Sequence, residues 1–264
     1  MIEGKSEMKT EKKRKIIWSF GGGTQTIAMA ILVRQGKLRR PDRIVIADTG
    51  REFKATWEYT EKYTAPLLAE IGLTIEVASH TLSNVDLYSL KGGMLMPAFD
   101  ARPEGKGSKL STYCSSEWKT SVIRRFIGGS QGNPDGVEMW IGFSLDELGR
   151  LKHSGLKWCE NYFPLCYDVK MTRAECIHLV EAYGLPTPIK SRCKMCPHMN
   201  DPEWLEVKNE PDEWAEAVAL DEQLFQSHQV RLHKSLKPLP MVDFQVKETG
   251  DSPMMDACEG VCFI

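Results

Sequence analysis

The sequence has no apolar run near the length of about 20 residues that a membrane-spanning helix needs. Its opening, MIEGKSEMKTEKKRK, has no apolar stretch of the kind a secretion signal carries. These absences predict a cytoplasmic protein with no membrane partner. Charge of one sign is also lacking: 34 Lys and Arg against 36 Asp and Glu leave a net −2. The net charge therefore does not announce a polyanion partner. No internal repeat is present, which excludes a solenoid. Neither G-x-x-x-x-G-K-[ST] nor G-x-G-x-x-G occurs, which excludes the two commoner nucleotide loops.

What is present suits a core-forming enzyme-sized domain: 264 residues, 42% of them hydrophobic. Residues 15–20 and 43–50 (RIVIADTG) read as buried strands, and residues 24–35 between them have helical apolar spacing with Gly36 at the stop. Continuous apolar strands around a helix predict a βαβ unit in a parallel sheet. Further strands are predicted at 73–78 and 137–144, and a helix from Lys54 to Ile71 broken near Pro66. Thr172 and Glu175 form a capping box for a helix over 173–183, and Asp201-Pro202 and Glu210-Pro211 each open another. Residues 80–135 read as a long irregular insertion, which in a compact fold usually serves function. The expected organisation is a mobile charged tail (1–14), a nucleotide-binding α/β domain (15–155), and a mostly helical, cysteine-bearing part (156–264).

Two features carry chemistry. In SFGGGTQT (19–26), a glycine loop leaves the first strand and enters a helix, so backbone N–H groups and the helix dipole face whatever lies above the sheet. Phosphate is the usual guest; a tight turn with no ligand is the alternative. The second feature is cysteine. Eight cysteines in a reducing compartment point to metal or redox work rather than disulfides. Cys193 and Cys196 form a C-x-x-C turn able to present two thiolates to one metal. Cys114 and the tail pair Cys258 and Cys262 are further donors, whereas Cys159, Cys166 and Cys176 sit in apolar or helical surroundings that suit a core. An iron–sulfur cluster, structural zinc and free buried thiols all remain open on spacing alone. His198 is a weaker ligand candidate. Residues 101–130 hold six basic against two acidic side chains, among them Lys106, Lys109, Lys119, Arg124 and Arg125, and suit an anionic substrate or a nucleic-acid backbone. Trp118, Trp204 and Trp214 read as packing residues.

Together the motifs resemble the phosphoadenosine phosphosulfate (PAPS) reductase-like family of the adenine-nucleotide alpha hydrolases. Gly22, Gly23 and Thr26 fall on that superfamily's S-G-G-x-D-[ST] loop, with Gly21 and Gln25 standing where it has Ser and Asp. Ser19, Phe20, Gly21 and Gln25 echo the loop of sulfonucleotide reductases. ADTGREFKATWEY (47–59) looks like the family's D-T-G-x-E segment, and IGFSLDELGR (141–150) its I-G-[IF]-[ST]-x-D-E-x-x-R segment. The resemblance implies a five-stranded parallel sheet flanked by helices. It implies an ATP or adenylyl-nucleotide site on Ser19, Gly21, Gly22, Gly23, Gln25, Thr26, Asp48 and Ser144, with Mg²⁺ as a further expectation. Catalytic roles would fall to Asp146, Arg150 and Cys262, and a 4Fe-4S cluster to Cys114, Cys193, Cys196 and Cys258. The implied activity is ATP-dependent adenylation and sulfur transfer to a nucleic acid or small molecule, served by a thiol reductant or sulfur donor in a chain that can pair as a homodimer. A sulfonucleotide reductase and a non-catalytic nucleotide-binding module are the alternatives.

Overall fold

The computed structural model describes residues 14–79, 87–88, 91–128 and 132–245. The charged tail as far as residue 13, and the tail cysteines Cys258 and Cys262, lie outside the described residues. Among the described residues no helix is long and apolar enough to cross a membrane.

Strands β1 (Lys15–Ser19), β2 (Arg43–Asp48), β3 (Ile75–Ser79), β5 (Val137–Ile141) and β6 (Cys159–Tyr162) form one parallel sheet in the order β3-β2-β1-β5-β6. A two-residue pair, β4 (Phe99–Asp100) with β7 (Val230–Arg231), stands apart and is antiparallel. The sheet continues past residue 155, the boundary expected from sequence, because β6 pairs with β5 from Val137–Cys159 to Trp140–Tyr162. Its CENY sequence alternates buried and exposed residues, as an edge strand does, and has no apolar run to announce it.

The period of two along each strand sends side chains into two layers. Ile16, Trp18, Ile44, Ile46 and Trp140 face helices α1 (Thr24–Arg34), α3 (Ala65–Ala69) and α6 (Arg173–Ala182). Ile17, Val45, Met139 and Ile141 face α4 (Ser121–Gly128), through its Val122 and Ile123. Helix α1 is buried on all sides, from Thr26 to Val33, which explains why its apolar residues do not keep to one stripe. The helix expected over 54–71 is α2 (Lys54–Tyr59), a π-helical turn (Thr60–Thr64) and α3. Pro66 has no N–H for the carbonyl of Lys62, and the turn before it widens.

The insertion expected to be irregular contains a helix: a π turn at Ser116–Thr120 runs straight into α4. A second core joins this insertion to the C-terminal helices α7 (Asp201–Lys208) and α8 (Pro211–His228), gathering Phe53, Met96, Trp118, Met195, Trp204 and Leu224. The remaining short helix, α5 (Pro164–Tyr167), follows β6. Cys159, Cys166 and Cys176 are buried in the sheet cores as expected, and burial pushes the Cys166 and Cys176 thiols up to about 11 and about 12.

Candidate functional site: a switch-point cavity beside a thiol cavity

The strand order reverses direction at β1, with β2 on one side and β5 on the other. In open parallel sheets the loops leaving the carboxyl ends of such strands diverge and leave a crevice. A cavity of about 250 Å³ occupies this place. Its walls are the end of β1 and the glycine loop (Ser19, Gly21, Gly23), the first turn of α1 (Gln25, Thr26), Ile46 and Ala47 of β2, and Phe143, Ser144, Asp146, Glu147 and Arg150 after β5. Helix α1 begins at Gly23 with no side-chain cap and no acidic residue in its first turn. Its first N–H groups therefore lack intrahelical partners at the cavity wall, and the positive end of the dipole points there. Anions are the natural occupants of such a place.

Of the residues expected to hold a nucleotide, Ser19, Gly21, Gly23, Gln25, Thr26 and Ser144 line this cavity. Gly22 and Asp48 are not on its wall. Gly22 has φ +70°, and a Cβ there would stand 2.6 Å from Thr56 Cγ2, so this glycine serves the turn and its packing. Asp48 Oδ1 accepts from the N–H of Gly50 at 2.7 Å, holding the turn after β2. Side chains not singled out from sequence complete the wall: Glu52, Lys190, Ser191 and Arg173. Glu52 sits in the D-T-G-x-E segment and Ser191 two residues before Cys193, so proximity to those motifs was the only available signal.

Asp146, Glu147 and Arg150 all reach the cavity, on a short 3₁₀ turn (Leu145–Arg150) that Ser144 and Glu147 cap reciprocally. Arg150 pairs with Glu147, not with Asp146, and its guanidinium lies 4.5 Å from the centre of the Phe143 ring. Asp146 instead accepts from the Arg173 N–H at the start of α6 and lies 3.3 Å from the Ser144 hydroxyl. Glu147 Oε2 accepts from the Gln25 amide at 3.1 Å. That bond explains the amide where the resembling family has Asp: a carboxylate at 25 would face the carboxylate of Glu147. Gln25→Asp should therefore destabilise the protein by roughly 1.5–3 kcal/mol, the usual range for losing a hydrogen bond to a charged group. The check is the urea midpoint at pH 7, and an unchanged midpoint would refute this account of Gln25.

A second, smaller cavity of about 50 Å³ adjoins the first. Cys114, Cys193 and Cys196 all line it, so the structure brings together three of the four expected metal ligands; the fourth, Cys258, lies outside the described residues. The C-x-x-C segment turns tightly, with Cys196 N–H on Cys193 carbonyl at 3.1 Å, and it rests on the second core. Burial pushes the Cys114 thiol up, partly opposed by the N–H of Ser115 and the ammonium of Lys119. His198 lies at the same cavity, 3.3 Å from both Lys109 Nζ and Thr112 Oγ1; burial and the charges of Lys109 and Lys190 push it down to about 4, so it is neutral at pH 7. Among the described residues no group of three or more His, Cys, Asp or Glu side chains is placed to hold a metal ion. The three thiols line one cavity. The donor set suits a thiolate-bound group, with Lys119 and Lys190 on the wall to offset its negative charge.

Lys119 is the only member of the expected basic stretch on the wall of the larger cavity. Arg125 bonds back to the carbonyl of Ser121 on its own helix, and Arg124 lies near the Cys159 thiol. Trp118 and Trp204 are buried packing residues, as expected.

Fold and site together define an open parallel α/β protein with a cavity at its switch point and a second, thiol-lined cavity beside it. No protein-family model matches the chain, and no curated protein matches it. Among solved structures, one that matches is the U34-tRNA thiolase NcsA from Methanococcus maripaludis with its [4Fe-4S] cluster. It is 17% identical, the match covers 95% of this chain and 81% of that one, and the TM-score is 0.43. A likeness of this size transfers neither activity nor site residues.

Proposed function

We propose that the chain is an adenine-nucleotide-dependent sulfur-transfer enzyme. The observation that carries this reading is the wall common to the two cavities: Lys119, Lys190 and Ser191 line both. A phosphate-binding loop and a set of thiols so placed can act on one substrate. The uncapped start of α1 and the glycine loop would take the phosphates, and Ile46, Ala47 and Phe143 offer the base an apolar surface. An acceptor oxygen would attack the α-phosphorus of ATP, with pyrophosphate leaving, and a sulfur nucleophile would then displace AMP. Lys119 and Lys190 stand where they can offset the charge of either the phosphates or the thiolates. A cluster on Cys114, Cys193, Cys196 and Cys258 would supply the iron–sulfur chemistry beside the nucleotide. Arg150 and Asp146, held by Glu147 and the start of α6, would position the nucleotide side, and Cys262 would serve as a further thiol nucleophile. The acceptor belongs to the nucleic-acid or small-molecule class.

Anaerobic purification followed by iron and acid-labile sulfide analysis tests the thiol half, and ATP–pyrophosphate exchange in the presence of an acceptor tests the other. The expected result is a brown protein with iron and sulfide in equal amounts, which Cys193→Ser or Cys114→Ser leaves colourless yet still able to bind ATP. Purified chain that binds no ATP, or that holds no metal at its thiols when reconstituted, would overturn the reading.

A further inference from the structure

The segment carrying the C-x-x-C thiols does not merely lie near the glycine loop; it is bonded to it. The Ser191 hydroxyl lies 2.6 Å from the Gly21 carbonyl oxygen and 2.9 Å from Glu52 Oε1. Glu52 Oε2 pairs with Lys119 Nζ at 3.0 Å, and Lys119 follows Cys114 by five residues in the same helical segment. The backbone repeats the connection: Glu52 and Cys193 form an antiparallel bridge, Phe53 N–H donates to Arg192 carbonyl at 2.9 Å, and Lys194 N–H donates to Arg51 carbonyl at 3.0 Å. Ser191 and Glu52 are both buried.

A serine hydroxyl has one proton to give. Here it has two buried acceptors, the carbonyl of the glycine loop and the carboxylate of Glu52. Giving the proton to Gly21 leaves a hydroxyl oxygen facing a carboxylate oxygen; giving it to Glu52 releases the glycine loop. Buried polar groups are costly to leave unmatched, so the two arrangements are discrete alternatives rather than a continuum. Anything that moves Lys119 or the 191–196 segment biases the choice, and so does anything that moves Gly21.

We propose that Ser191 and Glu52 are positioning residues that couple the two cavities, so that filling the thiol cavity tightens nucleotide binding at the glycine loop and nucleotide binding tightens ligand capture by the thiols. The proposal rests on the functional reading above only in requiring that each cavity bind its ligand. Coupling of this kind is reciprocal: the two affinities must change by the same factor.

The test uses the full-length chain, freed of metal under anaerobic reducing conditions. Co²⁺ is the thiol probe, followed by its thiolate-to-cobalt absorption, and a non-hydrolysable ATP analogue is the nucleotide probe, followed by calorimetry. Each is titrated alone and in the presence of the other. The expected result is a matching factor of about fivefold or more in both directions, typical of coupled sites. Ser191 lines both cavities, so in Ser191→Ala each probe is first titrated alone to set its own reference, and the factor between the two titrations should fall to about one; Ser191→Thr, which keeps the hydroxyl, should restore part of it. Should Ser191→Ala fail to fold, Glu52→Gln takes its place: it breaks the ion pair to Lys119 while keeping an acceptor for Ser191, and the factor should again fall. Wild-type protein that binds both probes with the same affinities alone and together overturns the coupling and leaves the functional reading standing. A factor that persists in Ser191→Ala overturns the assignment to Ser191. Failure of the wild type to bind either probe removes the functional reading and the coupling with it.

Discussion

Gly22→Val lowers the unfolding free energy by roughly 2–6 kcal/mol, measured as a shift in urea midpoint at constant slope. Two costs add. The backbone at Gly22 has φ +70°, a region where a β-branched residue is strained by about 1–3 kcal/mol. The new Cβ would also stand 2.6 Å from Thr56 Cγ2, and Thr56 is buried in α2. Overpacking a dense site costs about 1–3 kcal/mol more. The neighbouring glycine should behave differently. Gly23 has φ −95°, which any residue adopts, and a Cβ there meets Ser191 Cβ at 3.6 Å, an ordinary contact. Gly23→Ala should keep the wild-type midpoint and, because the loop wall at 23 faces the cavity, weaken ATP binding. A Gly22→Val protein as stable as the wild type would show that the turn is not built as described.

The second large effect lies far from the cavity. Asp221 on α8 is 1% exposed and Arg231 on β7 is 4% exposed, and they pair at 2.8 Å. Asp221 also accepts from the N–H of Leu232 at 2.8 Å. Asp221→Ala would leave a buried guanidinium and a buried N–H without this partner. Removing one member of a buried pair costs about 3–5 kcal/mol. Glu222, next in sequence, also reaches Arg231, at 3.1 Å, but its side chain is half exposed. Glu222→Ala should cost under about 1 kcal/mol, as exposed pairs do. Thermal or urea unfolding of the two variants side by side decides the matter; equal losses would mean that burial is not what gives the Asp221 pair its weight.

The parts of this protein that were legible in its sequence are those written in local patterns. Four strands are apolar runs, the Thr172–Glu175 box is a two-residue signature, and the two proline-led helices α7 and α8 begin where expected. The glycine loop was legible because position after the first strand has a physical meaning. What escaped depended on partners distant in sequence. CENY became a strand only because β5 offered it an edge. SEWKTSVIRRFIG sits between glycine-rich stretches, and its helix is secured by the burial of Trp118, Val122 and Ile123 against other segments. Gly22 and Gly23 are adjacent in one motif, yet one faces Thr56 and the other the cavity. Ser191 and Glu52 lie 139 residues apart, and no periodicity relates them.

The second core has a consequence for how this chain can be inherited. It takes Phe53, Leu95, Met96, Ala98 and Trp118 from the first half of the chain and packs them against α7 and α8 from the last quarter. A genetic crossover at residue 155 would therefore divide a packed interior as well as a sheet. Exchange between related genes at that point can yield a sound protein only when the incoming C-terminal segment finds side chains of matching volume at those five positions. The second-core residues of the first half and those of α7 and α8 are thus constrained to change in concert.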